Sequence, residues 1–312
     1  EMSASLVGSE MCIRDSGDTA DLNGERYGAF MIKKAESGKI RNYVDPKFIV
    51  GCYDSVTHEF ECNDKFECVL RKETLETLQK QYKEGLKRMQ NKWPDCIGFA
   101  YFQSYSNTYA PLSILKKLYD PFFKDSDIPG VAIATRADCL NDEIIDYLNQ
   151  QDKEVWLELG LQSVHESTME RCNRKHSTQI VFDWLDKLKD TNIKTCVHII
   201  NGLPGEAKQD MLETVKQIAK HPVDAIKIHM LHLIEGTQMA KEYEKEPFHI
   251  LTLEEYVDIV VDQLELLPQE VIIERLTGDG IAKDLIEPKW TIKKTIVTNE
   301  ICLLYTSDAA DD

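Results

Sequence analysis

The chain has 312 residues, 29% of them charged and 42% hydrophobic, and a formal charge of −17. A chain this acidic carries no global basic footprint for nucleic acid, which leaves only a local patch for that purpose. No apolar run approaches the roughly 20 residues that a membrane-spanning helix needs.

Both ends look foreign to the rest. Residues 1–16 contain LVGSEMCIRDS and residues 302–312 are CLLYTSDAADD. Both strings read as translations of the transposon adapters used in short-read DNA libraries. They are set aside from fold reasoning, and irregular or loosely attached ends are expected there. They carry Glu1, Glu10, Asp15, Asp308, Asp311 and Asp312 against Arg14, a net −5, which leaves −12 for residues 17–301. That portion suits one large α/β domain and is expected to lack its natural start and its last few residues. Its seven cysteines, at 52, 62, 68, 96, 139, 172 and 196, are scattered and odd in number. This usage points to a reducing compartment, with the cytoplasm as the default.

In chain order, residues 17–72 form a polar segment or insertion, rich in Gly, Asp and Lys, with a short strand expected at Lys47–Val50. Glu73–Asn91 is expected to be a helix, with Leu75, Leu78, Tyr82, Leu86 and Met89 on one face. From Asp95 one unit recurs: an apolar strand that ends in polar residues, then an amphipathic helix. Strands are expected at Cys96–Ser104, Gly130–Asp138, Glu154–Ser163, Thr195–Pro204, Ala225–Leu233 and Val271–Thr277. Helices are expected near Pro111–Phe123, Asn141–Gln151, Ser177–Asp190, Lys208–His221 and Thr252–Leu266. Asn141–Glu143 and Thr252–Glu254 each supply a capping residue and early acids. Strict β-α alternation implies a parallel sheet, doubly wound or closed toward a barrel. The chain has no GxGxxG and no Walker motif, which weakens the nucleotide-sheet alternative. The polar residues gather at the C-terminal strand ends, where barrel enzymes build their sites.

Several of those ends hold candidate chemistry. In EVWLELGLQS, period-2 alternation puts Trp156, Glu158, Gly160 and Gln162 on one side of a strand. Polar groups flanking a glycine suit a buried site with something polar close to the backbone. In AYFQSYSNTY, Gln103, Ser104, Tyr105, Ser106 and Asn107 could grip a polar ligand or form an ordinary polar loop. Thr135 and Arg136 end the next strand, and Arg136 could simply pair with Asp138. His198 precedes Asn201-Gly202-Leu203-Pro204-Gly205-Glu206, whose glycines allow a tight turn and close approach by a flat ring. A lone histidine on such a strand is more often a satisfied core residue. Lys227 and His229 share a strand face, and a buried lysine beside a histidine favours function.

YFQSYSNTYAP, ATRADCLNDEIIDYL, EVWLELGLQSVHESTMERCNRKH, HIINGLPGE and DAIKIHMLHLIEGTQMA together resemble, in order and spacing, the radical S-adenosylmethionine (radical SAM) superfamily. They look most like its bacterial YhcC/YtqA-type family, relatives of the Elongator catalytic subunit and of oxygen-independent coproporphyrinogen oxidase. The resemblance covers about Asp95–Ile301. It implies a partial (β/α)6 TIM-like barrel over 73–301, with its first strand missing or divergent. It also implies a [4Fe–4S] cluster held by three cysteines, whose open iron chelates SAM. Reductive cleavage of SAM then yields a 5′-deoxyadenosyl radical. By resemblance, Gln103, Ser104 and Tyr105 hold the SAM amino group, and Gln162 and Arg174 grip its carboxylate. His198 contacts the ribose, and Gly202 and Leu203 belong to the turn on which adenine stacks. Glu158, Thr135 and Arg136 line the site. Lys227 and His229 are placed as catalytic residues on the substrate side, apart from the SAM contacts.

The chain departs from the family at the cluster, because it contains no CxxC. Either the motif lay upstream of Gly17 and was cut off, or Cys52, Cys62 and Cys68 form a divergent triad. The last spacing in that triad is wrong for the family, which favours truncation. The implied function is a radical SAM enzyme acting in tRNA wobble-uridine modification. Its implied partners are SAM, tRNA and a reductant such as flavodoxin or ferredoxin, with no membrane. The alternative is a cluster-less barrel that binds a nucleotide-like ligand or a partner.

Overall fold

The computed structural model describes residues 31–36, 39–40, 49–54, 59–61, 72–91, 93–103, 106–278 and 283–311, with side chains from 78 to 305 among them. The chain divides into two compact units, Arg14–Leu157 and Glu158–Asp312, at a point inside one strand.

The main sheet has six strands: β5 (Ala100–Phe102), β6 (Gly130–Thr135), β7 (Glu154–Gln162), β8 (Ile193–Asn201), β9 (Ala225–Met230) and β11 (Ile272–Arg275). Their spatial order is β5-β6-β7-β8-β9-β11, which is chain order. Pairs β5/β6, β8/β9 and β9/β11 are parallel. A doubly wound sheet reverses its strand order at a switch point. This one never reverses, which is the connectivity of a barrel-type α/β fold, as expected. Strands β6 and β9 are buried at every position, as parallel strands covered on both faces are.

In the unit Arg14–Leu157, β1 (Met31–Glu36), β2 (Lys39–Ile40), β3 (Ile49–Asp54) and β4 (Glu59–Glu61) make a separate sheet in the order β2-β1-β3-β4. Only its third strand had a signal in the sequence. Helix α1 (Lys72–Gln90) follows, and Tyr82 donates from its hydroxyl to the Gly98 carbonyl at 2.8 Å. Strand β5 is shorter than expected. Its last side chain, Phe102, packs edge-on against Tyr119 and Phe122 of α2 (Leu112–Phe123), with centroids 4.8 and 5.1 Å apart. Helix α3 (Asp142–Asn149) is capped as predicted, with Asn141 Oδ1 accepting from the Ile144 amide at 3.0 Å.

In the unit Glu158–Asp312, the β7–β8 connection holds α4 (Glu166–Arg171) and α5 (Gln179–Leu188). Helix α6 (Lys208–Ile218) joins β8 to β9. The β9–β11 connection contains β10 (Leu233–Ile234), α7 (Gln238–Lys245) and α8 (Leu253–Glu265). Thr252 and Glu255 form a reciprocal capping box on α8. Strand β12 (Leu285–Glu287) pairs antiparallel with β10, a ribbon the β-α pattern did not announce. Met169, Cys172, Ile200, Leu203, Leu231, Leu233 and Met239 form a core cluster beside it.

The C-terminal end, expected to be irregular or loosely attached, is not irregular. Helix α9 (Lys294–Asp311) runs through it. Ile301 is buried at 1% exposure, whereas Leu303 is 65% and Tyr305 43% exposed. A helix can extend outward on its own hydrogen bonds without packing. Deleting residues 302–312 should therefore change the unfolding free energy by less than about 1 kcal/mol, the scale of surface changes. A loss of several kcal/mol on chemical denaturation would show that the helix end packs.

Candidate active site

Strands β7, β8, β9 and β11 bring four charged or titratable side chains to one buried point in the unit Glu158–Asp312. Glu158 is 4% exposed in side-chain terms. Its Oε2 pairs with His198 Nε2 at 2.8 Å and accepts from Lys227 Nζ at 2.6 Å. Lys227 Nζ also meets Glu274 Oε2 at 3.0 Å. The parallel register places His198 directly beside Lys227 across the β8–β9 pair, so the contact follows from strand pairing. His229 lies one same-face position further along β9, its ring centroid 5.5 Å from that of His198. Both of its ring nitrogens are buried without a hydrogen-bond partner among the described residues.

Lys227 and His229 were expected on the substrate side, apart from the SAM contacts. They share one cluster with Glu158 and His198, because adjacent parallel strands align their ends. Glu274 was missed. It lies where the β11 register shifts, so simple alternation did not single it out.

Burial pushes the Glu158 carboxyl up, but the His198 hydrogen bond and the charges of His198 and Lys227 outweigh it and hold the carboxyl at about 2. Burial pulls the Lys227 ammonium down, yet the Glu158 charge leaves it raised above its usual 10.5. Burial, then the charges of His198, Arg275, Lys227 and His232, drive His229 well below the usual 6.5, so it is neutral. The signs give a pH prediction. Glu158 contributes stability fully above 4.5 and loses it as pH falls toward about 2. His229 contributes above 6.5 and loses it below, because only the unfolded imidazole takes the proton there. Lys227 contributes below 10.5 and loses it only in stronger base. The urea midpoint should fall in two acid steps. His229→Gln should remove the upper step and Glu158→Gln the lower. An unchanged acid profile in both variants would refute these assignments.

The end of β7 is held differently. Gln162, 2% exposed, has φ 66°, a left-handed conformation costly for a residue with a Cβ. Arg174, 5% exposed, reaches back from the turn after α4. Its Nη1 donates to the Leu161 carbonyl and its Nη2 to the Gly160 carbonyl, the latter at 3.1 Å, while Nε donates to His176 Nε2 at 2.9 Å. The guanidinium expected to grip a carboxylate thus anchors the backbone that precedes Gln162. At the end of β8, Asn201 and Gln263 of α8 exchange side-chain hydrogen bonds at 2.8 and 2.9 Å, a buried pair not foreseen. Gly202 has φ +82°, and a Cβ there would stand 3.1 Å from the Leu251 side chain, which accounts for the glycine; Leu203 is buried beside it.

In the other unit, Gln103 Nε2 is a buried donor without a partner among the described residues. Ser104 and Tyr105 lie outside the described residues. Asn107 donates to the Phe102 and Ala134 carbonyls, fixing the loop after β5 rather than offering its amide outward. Thr135 shares a 2.6 Å hydrogen bond with Thr108. Arg136 pairs with Asp138 through two hydrogen bonds at 2.8 and 2.5 Å, the simpler of the two readings. Cys52 lies in β3, and Cys62 and Cys68 lie outside the described residues. Among the described residues, no group of three or more His, Cys, Asp or Glu side chains could hold a metal ion. No described helix is long and apolar enough to cross a membrane.

The profile of the radical SAM superfamily matches residues 54–218, and that of the radical SAM C-terminal domain matches residues 223–302. The YtqA protein of Bacillus subtilis (strain 168) is 43% identical over 71% of this chain and 69% of its own length. The YhcC protein of Escherichia coli (strain K12) is 35% identical over 61% of this chain and 63% of its length. A tRNA uridine(34) acetyltransferase of Methanocaldococcus infernus is 28% identical over 51% of this chain, but over only 30% of its own length. The superfamily profile covers more than half of the chain, and the Bacillus protein is matched over more than two thirds of its length. The chain belongs to the radical SAM superfamily of enzymes.

Proposed function

We propose that this enzyme modifies the side chain of a tRNA wobble uridine in the cytoplasm, drawing electrons from a flavodoxin- or ferredoxin-type reductant. The substrate reading is supported by the similarity to tRNA uridine(34) acetyltransferases. The observation that supports chemistry at this place is the buried convergence of Glu158, His198, Lys227 and Glu274 beside an unpartnered His229. The superfamily's cofactors, a [4Fe–4S] cluster and SAM, supply the radical chemistry when bound.

The chain's own residues bind, orient and exclude water. The donor set of the unit Glu158–Asp312 fits a ribosyl and amino-acid ligand in kind. Glu158, kept ionised by His198 and Lys227, is a fixed acceptor. His198, held by Glu158, keeps one ring orientation for a ribose contact. Gln162 presents an amide from a constrained turn, and Arg174 holds that turn by fixing the two carbonyls before it. Gly202 and Leu203 form the close-approach turn for a flat base. Burial of Glu158, His198 and Lys227 keeps water from the point where a reactive species would need protection. The cluster-less binding module is not favoured by the family match.

Full-length protein, reconstituted anaerobically, should hold about four iron and four sulfide per chain and release 5′-deoxyadenosine on reduction with SAM. Cells lacking the gene should yield tRNA with altered wobble uridines. Protein without a cluster would overturn the radical chemistry. Active protein whose deletion leaves every wobble nucleoside intact would overturn the tRNA reading alone.

A further inference from the structure

We propose that His229 and Arg275 form a subsite for an oxyanion of the substrate, a carboxylate or phosphate group. The proposal rests on reading the Glu158–Lys227 cluster as the active site, and it adds the class of group that site accepts. His229 is 2% exposed, and neither ring nitrogen has a hydrogen-bond partner among the described residues. An imidazole always carries at least one donor N–H in this pH range, so one buried donor is left unmade. Arg275 Nη1 is a second buried donor without a partner among them. The two belong to neighbouring strands: Arg275 is the β11 partner of Lys227, and His229 lies two residues beyond Lys227 on β9.

Charge decides what these donors want. From β8 His198 faces His229, from β9 Lys227, from the segment after β9 His232, and from β11 Arg275. The two acids nearby, Glu158 of β7 and Glu274 of β11, are both engaged by Lys227. Burial first, and then those four groups, disfavours a proton on His229, which stays a neutral donor. Two buried unmade donors, one of them on a guanidinium, favour an anionic oxygen as their partner. A guanidinium is the apt partner, because its fork suits the geometry of carboxylate and phosphate.

The test uses the full chain with ¹⁵N-histidine labelling and the plain anions as probes. The ring-nitrogen signals of His229, assigned by their loss in His229→Gln, are followed through titrations with inorganic phosphate and with acetate. A saturable shift with either anion, weakened about tenfold or more in Arg275→Gln, is the expected result. Saturation with phosphate alone identifies a phosphorylated substrate group, and with acetate alone a carboxylate. No saturable shift, or one that survives Arg275→Gln in a variant with wild-type circular dichroism, overturns the proposal. So does a shift produced by SAM itself that then blocks both anions, because the donors would then belong to the cofactor. Deoxyadenosine release, measured separately, reports on the radical reading without reference to either residue.

Discussion

Lys227→Met should destabilise the protein by about 3–5 kcal/mol, the range found when one partner of a buried ion pair is removed. The Lys227 side chain is 8% exposed and sits between Glu158, 4% exposed, and Glu274, 26% exposed. Removing the ammonium takes from Glu158 its cationic partner, in a place where water cannot readily replace the lost charge. Adding Glu158→Gln should then recover most of the loss. The amide removes the uncompensated charge and still offers His198 a hydrogen-bond partner. Urea denaturation of the two single variants and the double variant gives the coupling directly. If Lys227→Met lies within about 0.5 kcal/mol of wild type, the pair is screened like a surface contact and the site is wetter than its burial implies. The same variant bears on activity. Because Lys227 and His198 hold one carboxylate oxygen, its loss should lower deoxyadenosine release together with product formation. Full deoxyadenosine release without product would restore the separation of roles that the strand pattern alone suggested.

The barrel-type alternation was legible because parallel strands covered on both faces are written as unbroken apolar runs. Gly130–Ala134 is such a run, and its strand is buried throughout; Ala225–Met230 is equally buried, with Lys227 and His229 interrupting its apolar residues. The capped helices at Asn141 and Thr252 were legible because a cap is local chemistry within four residues. The β10–β12 ribbon was not, since β10 has two residues and its pairing partner lies about 50 positions away. Of the site, Glu158, His198, Lys227 and His229 stood out because charge on a buried strand has few structural explanations. Glu274 did not, because a register shift precedes Arg275 and breaks the alternation that would have placed it. Asn201 and Gln263, 62 residues apart, look like any two amides until the fold joins them. Arg174 was legible as important, but its contacts to the Gly160 and Leu161 carbonyls were not, because backbone carbonyls carry no sequence signature.

That role makes Arg174→Ala the second large effect. The guanidinium closes onto the carbonyls of Gly160 and Leu161, immediately before the left-handed Gln162. Truncation removes donors from two carbonyls in a buried segment and from His176, and each buried group left unmade costs about 1–3 kcal/mol. It also frees Gln162 to relax toward ordinary backbone angles, which swings its amide away from the strand end. The expected loss is about 2–4 kcal/mol of unfolding free energy, with faster amide exchange confined at first to residues near Gln162. Arg174→Lys should recover less than half of it, because one ammonium cannot reproduce a fork that spans two successive carbonyls. If the turn meets the ligand and the guanidinium only holds the turn, SAM affinity should fall in both variants and track the exchange rate at Gln162. If Arg174→Ala keeps wild-type stability and exchange but loses SAM affinity in calorimetry, the guanidinium grips the carboxylate itself and the anchoring account is wrong.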